Sequence, residues 1–177
     1  MRAERIDYEF RLPDRDPGRP RGVHLSGVIR AALQACHMDP YGDTPDAASQ
    51  LRMAVGLAWE DWYGPRIPNA IYHPGTLFSN RVYFSVDAID VDNKLLHEIK
   101  TTTSAVKPPT ENLYWNLQLQ GYLWCLGEGE WTRARMHVLH IGRQYQLAIW
   151  DIEYSPEELK QTWKNILEPY IDLAKGE

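Results

Sequence analysis

The segment VYFSVDAIDVDNKLLHEIKTTT, residues 82–103, decides the fold predicted for this chain. Its two apolar halves flank Asp92-Asn93, a dipeptide typical of a tight hairpin turn. A two-residue turn there places Asp87 directly opposite Glu98, with their Cβ atoms about 5 Å apart on one face of the hairpin. Lys100 points to that same face, because side chains alternate along a strand. The segment therefore predicts a β-hairpin with two acids and one lysine grouped together.

Two facing carboxylates repel each other unless something offsets their charge. A divalent cation does so, since carboxylate oxygens are hard ligands suited to Mg²⁺ or Mn²⁺. Lys100 could then orient a water or stabilise charge that develops on a phosphate. The alternative is an exposed hairpin face on which Asp87 and Glu98 are ordinary solvated residues. Val, Ile, Leu and Phe on both faces of these strands favour the interior of a layered sheet instead.

Apolar spacing outside the hairpin predicts four helices and further strands. The first helix is expected over 27–38 with Ser26 as its cap, and the second runs from Asp46 to Tyr63. The second helix is expected to turn these residues to the core: Leu51, Val55, Ala58, Trp59 and Trp62. A third helix is predicted over 111–126, two strands over 132–152, and a last helix from Ser155 to the C-terminus.

This order of two helices, three strands, a helix, two strands and a helix predicts an α/β (α+β) fold. Its centre is one mixed sheet of about four to five strands flanked by helices. The length of 177 residues fits one domain, which we place at 25–177. We expect residues 1–24 to form an N-terminal arm, with a short strand or ordered arm at 6–12 and a Pro/Gly-rich loop at 13–22.

Composition excludes several classes of protein. With 44% hydrophobic and 24% charged residues, the chain is typical of a globular domain. Its longest uncharged stretch, residues 112–127, is too short and too polar to span a bilayer, and residues 1–20 have no apolar core of a secretory signal. Two cysteines are too few for a four-thiolate zinc site or an iron–sulfur cluster, so a reducing, cytoplasmic setting without a membrane is expected.

The hairpin and three other elements resemble the PD-(D/E)XK nuclease superfamily. Asp87 followed by Glu98-Ile99-Lys100 resembles its signature, although Val86 stands where that signature has proline. The run from Gln118 to Tyr122 fits the QxxxY element of the RecB-like exonuclease branch, and Gly56–Glu60 resembles the helix that supplies a further acid. The likeness covers residues 25–152, and it implies a restriction-endonuclease-like core of the stand-alone kind that many bacteriophages encode.

The resemblance implies a role for each matching residue. Asp87 and Glu98 would bind one or two Mg²⁺ or Mn²⁺ ions, with the carbonyl of Ile99 completing the ligands and Glu60 contacting metal directly or through water. Lys100 would act on the nucleophilic water. Gln118 and Tyr122, one helical turn apart, would position the active site and the DNA backbone, unless they form only a polar helix edge. The cysteines that hold an iron–sulfur cluster in related CRISPR-adaptation nucleases have no counterpart here.

Three polar residues after Lys100 are candidate DNA contacts. Thr102 and Ser104 could hydrogen-bond phosphate oxygens, although β-branched threonine is also common in strands, and Lys107 in the following loop could pair with a phosphate. His137 and His140 are three apart in a strand and so are expected on opposite faces, which disfavours a zinc pair. Cys36 and Cys125 are expected in the core.

The resulting interpretation is a metal-dependent DNA nuclease, namely an exonuclease of the RecB-like type that acts on linear duplex or single-stranded DNA. Two alternatives stay open: a structure-specific or restriction-like endonuclease on the same core, and a catalytically silent DNA-binding subunit. The net charge of −5 argues against non-specific DNA binding unless bound ions and a local basic groove neutralise the phosphates. A homo-oligomer and a recombination partner protein are open as well.

Overall fold

The computed structural model of the chain describes residues 20–38, 47–142 and 145–176. The helices in these ranges are α1 (Leu25–Ala35), α2 (Ala47–Tyr63), α3 (Leu113–Gly127) and α4 (Pro156–Thr162). The strands are β1 (Ile71–Tyr72), β2 (Thr76–Ser79), β3 (Val82–Ser85), β4 (Ala88–Asp90), β5 (Leu95–Thr102), β6 (Arg133–Ile141) and β7 (Tyr145–Glu153). Among the described residues, no helix is long and apolar enough to span a membrane.

The strands form one five-stranded mixed sheet and a separate hairpin. The sheet has the order β1-β4-β5-β6-β7, and β2 pairs with β3 outside it. β5 and β6 are parallel and all other neighbours in the sheet are antiparallel. The connection from β5 to β6 contains α3, as a parallel pair requires a crossover. The predicted α+β class, with a mixed sheet of four to five strands flanked by helices, is confirmed.

The main core lies between one face of the sheet and helices α1, α3 and α4. Leu96, Met136 and Val138 on this face are almost fully buried. The nine consecutive residues 117–125 of α3 are all buried, so this helix is enclosed on every side. Its two polar residues that fit the QxxxY element are therefore interior side chains and not a solvated edge.

The register of the β4–β5 hairpin is the predicted one. Ala88 pairs with His97 and Ile89 pairs with Leu96, so the next position outward places Asp87 opposite Glu98. The turn is longer than predicted, because β4 ends at Asp90 and β5 begins at Leu95. Asp90 holds this turn closed, and its carboxylate accepts hydrogen bonds from the main-chain N–H and the side-chain amide of Asn93 at 3.0 and 2.8 Å.

The start of α1 differs from the prediction. His24 and not Ser26 is its N-cap, without a side-chain cap hydrogen bond, and Cys36 just beyond its end is exposed, whereas Cys125 is buried as expected. The strand predicted at 6–12, most of the loop predicted at 13–22, and Asp46 lie outside the described residues. The domain division after residue 24 stays a prediction.

The orientation of α2 is a second correction. Leu51, Val55 and Trp62, expected in the core, are 56%, 41% and 54% exposed, and Ala58, also expected there, is exposed as well. The helix instead approaches β5 through Gly56, where an added Cβ would be only 2.9 Å from Oγ1 of Thr101. A glycine lets two elements come this close, and that contact fixes the face that α2 presents to the sheet.

The last helix begins as predicted but ends early. Ser155 and Glu158 form a reciprocal capping box, with hydrogen bonds of 3.2 and 2.7 Å between each side chain and the other residue's main-chain N–H. The α-helical part stops at Thr162, followed by a π-helical segment, Trp163–Leu167, and a short 3₁₀ turn, Glu168–Tyr170. Pro169 in this turn has no N–H to donate to the carbonyl of Asn165, so a regular helix does not continue through the turn.

Candidate active site

The side chains of Asp87, Glu98 and Lys100 lie close together on one face of the β4–β5 hairpin. Oδ2 of Asp87 accepts a hydrogen bond of 2.7 Å from the main-chain N–H of Ile99, which holds this carboxylate against β5. The ammonium group of Lys100 donates to Oε1 of Glu98, which is only 1% exposed. The three charged groups therefore lie on one face, as the hairpin register requires.

The second carboxylate oxygen of Glu98 has no partner. Oε2 is buried and accepts no hydrogen bond from any residue that the structure describes. A buried acceptor without a donor is costly, and the cost is greater when the group carries a charge. The surroundings of Glu98 therefore suit an additional positive ligand.

The pKa values of both carboxyl groups also indicate that an additional positive charge would stabilise their ionised forms. Burial raises the pKa of Asp87 to about 6, although the charge of Lys100 opposes this shift. Burial and the neighbouring charge of Asp87 raise the pKa of Glu98 to about 8, again against Lys100. Burial alone would lower the pKa of Lys100, but the two carboxylates outweigh it and raise that pKa. One ammonium thus faces two carboxyl groups, and full ionisation of both needs a further cation.

Glu60 reaches the same site from α2. Its charge contributes to the raised pKa values of both Asp87 and Glu98, and its side chain is 15% exposed. Oε1 of Glu60 lies 2.8 Å from Nε2 of His73, and the main-chain N–H of His73 donates to the carbonyl of Asp87 at 2.9 Å. His73, which follows the two-residue strand β1, was not predicted. It has no motif of its own, and only the fold brings it between Glu60 and Asp87.

Gln118 and Tyr122 complete the site from α3. Nε2 of Gln118 donates to the hydroxyl oxygen of Tyr122 at 2.9 Å, and the two side chains are 9% and 8% exposed. Burial raises the pKa of Tyr122 well above its usual value, and the charge of Glu98 raises it further. Tyr122 therefore keeps its proton. Because its oxygen already accepts from Gln118, its O–H is available as a donor beside the carboxyl groups.

The donor set is compatible with a metal ion held by few protein ligands. No group of three or more His, Cys, Asp or Glu side chains that could hold a metal ion occurs among residues 20–38, 47–142 and 145–176. Two carboxylates, one with an unpartnered oxygen, fit a hard cation such as Mg²⁺, which usually retains several water ligands. Asp87 and Glu98 are the residues that could hold it, with Ile99 beside them.

The predicted DNA contacts lie farther along the same face. Thr102 accepts a 3.1 Å hydrogen bond from the main-chain N–H of Ser104, and both residues line a cavity of about 280 Å³ together with Lys107. They do not touch the carboxyl groups. Trp115 and His140 also line this cavity, and neither was singled out as a candidate.

A buried histidine pair supports β5 from the opposite face. Nδ1 of His97 lies 3.0 Å from Nε2 of His137, whose Nδ1 in turn lies 3.0 Å from the hydroxyl of Tyr63. His140 instead contacts the carbonyl of Ser104, so the expected separation of His137 and His140 is confirmed. Burial lowers the pKa of His97 and of His137, the latter to about 4, so both rings are neutral near pH 7.

The chain thus has an α+β fold with a five-stranded mixed sheet and flanking helices. One solved structure with this arrangement is a phage-related exonuclease from Haemophilus somnus 129PT, with a TM-score of 0.54 and 12% identity over 86% of this chain and 81% of that one. A second, SSO0001, has a TM-score of 0.48 and 18% identity over 81% and 75% of the two chains. No protein-family profile matches the chain. No curated protein matches it either.

Proposed function

We propose that this protein is a metal-dependent DNA nuclease, and specifically a RecB-like exonuclease that hydrolyses phosphodiester bonds of linear DNA. The observation that carries the proposal is the group of Asp87, Glu98 and Lys100, in which one buried carboxylate oxygen has no partner among the described residues. The nuclease-like fold, shared with a phage-related exonuclease, supports the same reading. The QxxxY element at Gln118–Tyr122 supports the exonuclease branch.

In this proposal Asp87 and Glu98, with the carbonyl of Ile99, hold one or two Mg²⁺ or Mn²⁺ ions. When bound, such an ion polarises the scissile phosphate and lowers the pKa of a coordinated water. The two carboxyl groups must lose their protons to act as ligands. Glu60 adds negative charge at the same place and can take part directly or through water.

Without bound metal, the adjacent carboxylates raise the pKa of Lys100, so its ammonium group keeps its proton. In that form it serves as a hydrogen-bond donor and a positive charge. Its ammonium can orient the attacking water or stabilise negative charge on the phosphate in the transition state. The O–H of Tyr122, whose oxygen accepts a hydrogen bond from Gln118, is a second donor near the phosphate, and unlike Lys100 it is neutral.

The test is degradation of end-labelled linear duplex and single-stranded DNA with Mg²⁺, with Mn²⁺ and with chelator. We expect cleavage that requires metal and falls at least about a hundredfold in Lys100→Ala and in Glu98→Gln, as losses of transition-state charge stabilisation do. Lys94→Ala is the matched control, because Lys94 lies on the same hairpin but pairs with exposed Glu130. Unchanged turnover in a folded Lys100→Ala protein would disprove the assignment.

Covalently closed circular DNA separates the two enzymatic readings. An exonuclease leaves the circle intact and degrades it once it has been linearised, whereas an endonuclease cuts it directly. DNA binding without any cleavage, with or without metal, would instead indicate a silent binding subunit.

A further inference from the structure

The cavity lined by Thr102 and His140 lies beyond Lys100, at the next pair of residues on the same face of β5 and β6. Thr102 follows Lys100 by two residues on the same face, and it pairs with His140 of β6. Two residues along a strand span about 7 Å, so the cavity is within reach of a nucleotide next to one bound at Lys100. Its volume of about 280 Å³ is close to the lower end of the ~300–1,000 Å³ range of small-ligand pockets.

His140 lines this cavity and has a hydrogen-bond acceptor that no described residue uses. Its side chain is 7% exposed, and Nδ1 lies 3.1 Å from the main-chain carbonyl oxygen of Ser104. A carbonyl only accepts, so Nδ1 carries the proton, and in a neutral imidazole Nε2 is then the acceptor. Nε2 is buried and receives no hydrogen bond from any described residue. The missing partner is therefore a hydrogen-bond donor, which a phosphate oxygen is not.

The other lining groups distinguish a nucleobase from a phosphate. Lys107 and Glu111 both line the cavity, so their opposite charges do not select an anion. Trp115 supplies an aromatic ring, and base–aromatic stacking is a common way to hold single-stranded nucleic acid. Nucleobases carry amino or ring N–H donors on the edge that is occupied in a duplex and free in an unpaired strand.

We propose that this cavity binds one unpaired nucleobase, which donates an N–H to Nε2 of His140 and stacks against Trp115. The inference rests on the proposed nuclease function, and it adds a substrate class: a strand whose base next to the cleavage position is unpaired, as in single-stranded DNA or a frayed duplex end. Thr102, Ser104 and Lys107 would then contact the sugar–phosphate backbone at the cavity edge.

His140→Asn is the informative variant. The Nδ2 amide of asparagine can replace Nδ1–H of His140 as donor to Ser104, but it offers no acceptor at the position of Nε2. The variant therefore preserves the hydrogen bond to the loop and removes the proposed base contact. A thermal unfolding curve checks that the variant folds.

Binding is measured by fluorescence anisotropy with Mg²⁺ and labelled single-stranded oligonucleotides, in a Lys100→Ala background that prevents degradation. One abasic residue is placed in turn at each position near the end. At one position we expect the abasic residue to weaken binding about tenfold. Adding His140→Asn should weaken binding of the intact strand similarly and abolish that positional penalty.

Failure of this inference differs from failure of the nuclease assignment. Metal-dependent cleavage by the wild-type protein, combined with a penalty that is equal at all positions or that persists in His140→Asn, overturns the base site alone. A positional penalty that depends on His140 without any cleavage by the wild type overturns the nuclease alone. No binding of any oligonucleotide overturns the base site, and the cleavage assay then decides the nuclease separately.

Discussion

At the scale of one residue, the burial of Glu98 disfavours the ionised form of its own carboxyl group. Its side chain is 1% exposed, faces Asp87 and has one oxygen without a partner. The pKa values of about 8 for Glu98 and about 6 for Asp87 lie above those of the unfolded chain, so folding takes up protons. A proton or a metal ion can supply the missing positive charge, and the two compete for the same oxygens.

This competition predicts a pH-dependent stability. In chelator, the contribution of these two groups is fully present below about pH 4 and is lost as pH rises through about 6 and about 8. We therefore expect Mg²⁺ to raise the melting temperature more at pH 8.5 than at pH 6, because metal binding requires ionised ligands.

Differential scanning fluorimetry across this pH range, with Mg²⁺ or with chelator, makes the comparison. Glu98→Gln is the control, in which the effect of Mg²⁺ should be small at both pH values. A wild-type response to Mg²⁺ that is equal at pH 6 and pH 8.5 would contradict the assignment of these carboxyl groups as ligands.

At the scale of elements, hairpin register could be predicted while helix orientation could not. The positions of Asp87 and Glu98 follow from a turn dipeptide and the two-residue period of strands, which are local properties. The face that α2 presents to the sheet depends on a long-range contact between Gly56 and Thr101. Apolar spacing alone placed Leu51 and Trp62 inside, and both are exposed. The surroundings of His73 and His140 likewise could not be predicted from the sequence, because they depend on contacts between distant segments.

Gly56 therefore predicts a functional effect from a residue outside the site. Gly56→Val would place its branched side chain against Thr101 and push α2 away from β5, carrying Glu60 with it. Small misplacements of catalytic groups can cost up to about a hundredfold, so we expect cleavage to fall at least about tenfold. Steady-state cleavage rates are compared with those of Ala58→Val, an equally branched change at an exposed position of the same helix. Equal activity in the two variants would show that the close contact does not position Glu60.

At the scale of the whole molecule, the protein is acidic although its proposed substrate is a polyanion. Its net charge of −5 gives no overall attraction to a polyanion, so bound ions and local cations are expected to share the neutralisation of the phosphates. Among the described residues, the cations at or beside the site include Lys100 and, at the adjacent cavity, Lys107. Affinity for DNA is thus expected to depend more on divalent metal than on monovalent salt.

This charge balance predicts a shallow salt dependence. Proteins that make six to ten phosphate contacts lose about 10³–10⁵ in affinity between 50 and 200 mM salt. For this protein, with Mg²⁺ constant and Lys100→Ala preventing cleavage, we expect a loss below about a hundredfold, measured by anisotropy titrations. A steeper loss would point to a basic surface, and the arginines at positions 11, 15, 19 and 21 would then be replaced by alanine to locate it.

The parallel pairing of β5 with β6 also has a consequence for biosynthesis. Leu95–Thr102 find their partners in Arg133–His140 only after the whole of α3 has been made, and closing so long a loop precedes any gain from the contacts. Glu98 pairs with Met136 in this register, so β6 forms one side of the surroundings of the carboxylate. A nascent chain in which β6 has not yet emerged from the ribosome therefore contains Asp87 and Glu98 without the β6 side of their surroundings. The proposed site is therefore complete only late in synthesis, after the strand that pairs with β5 in parallel has been made.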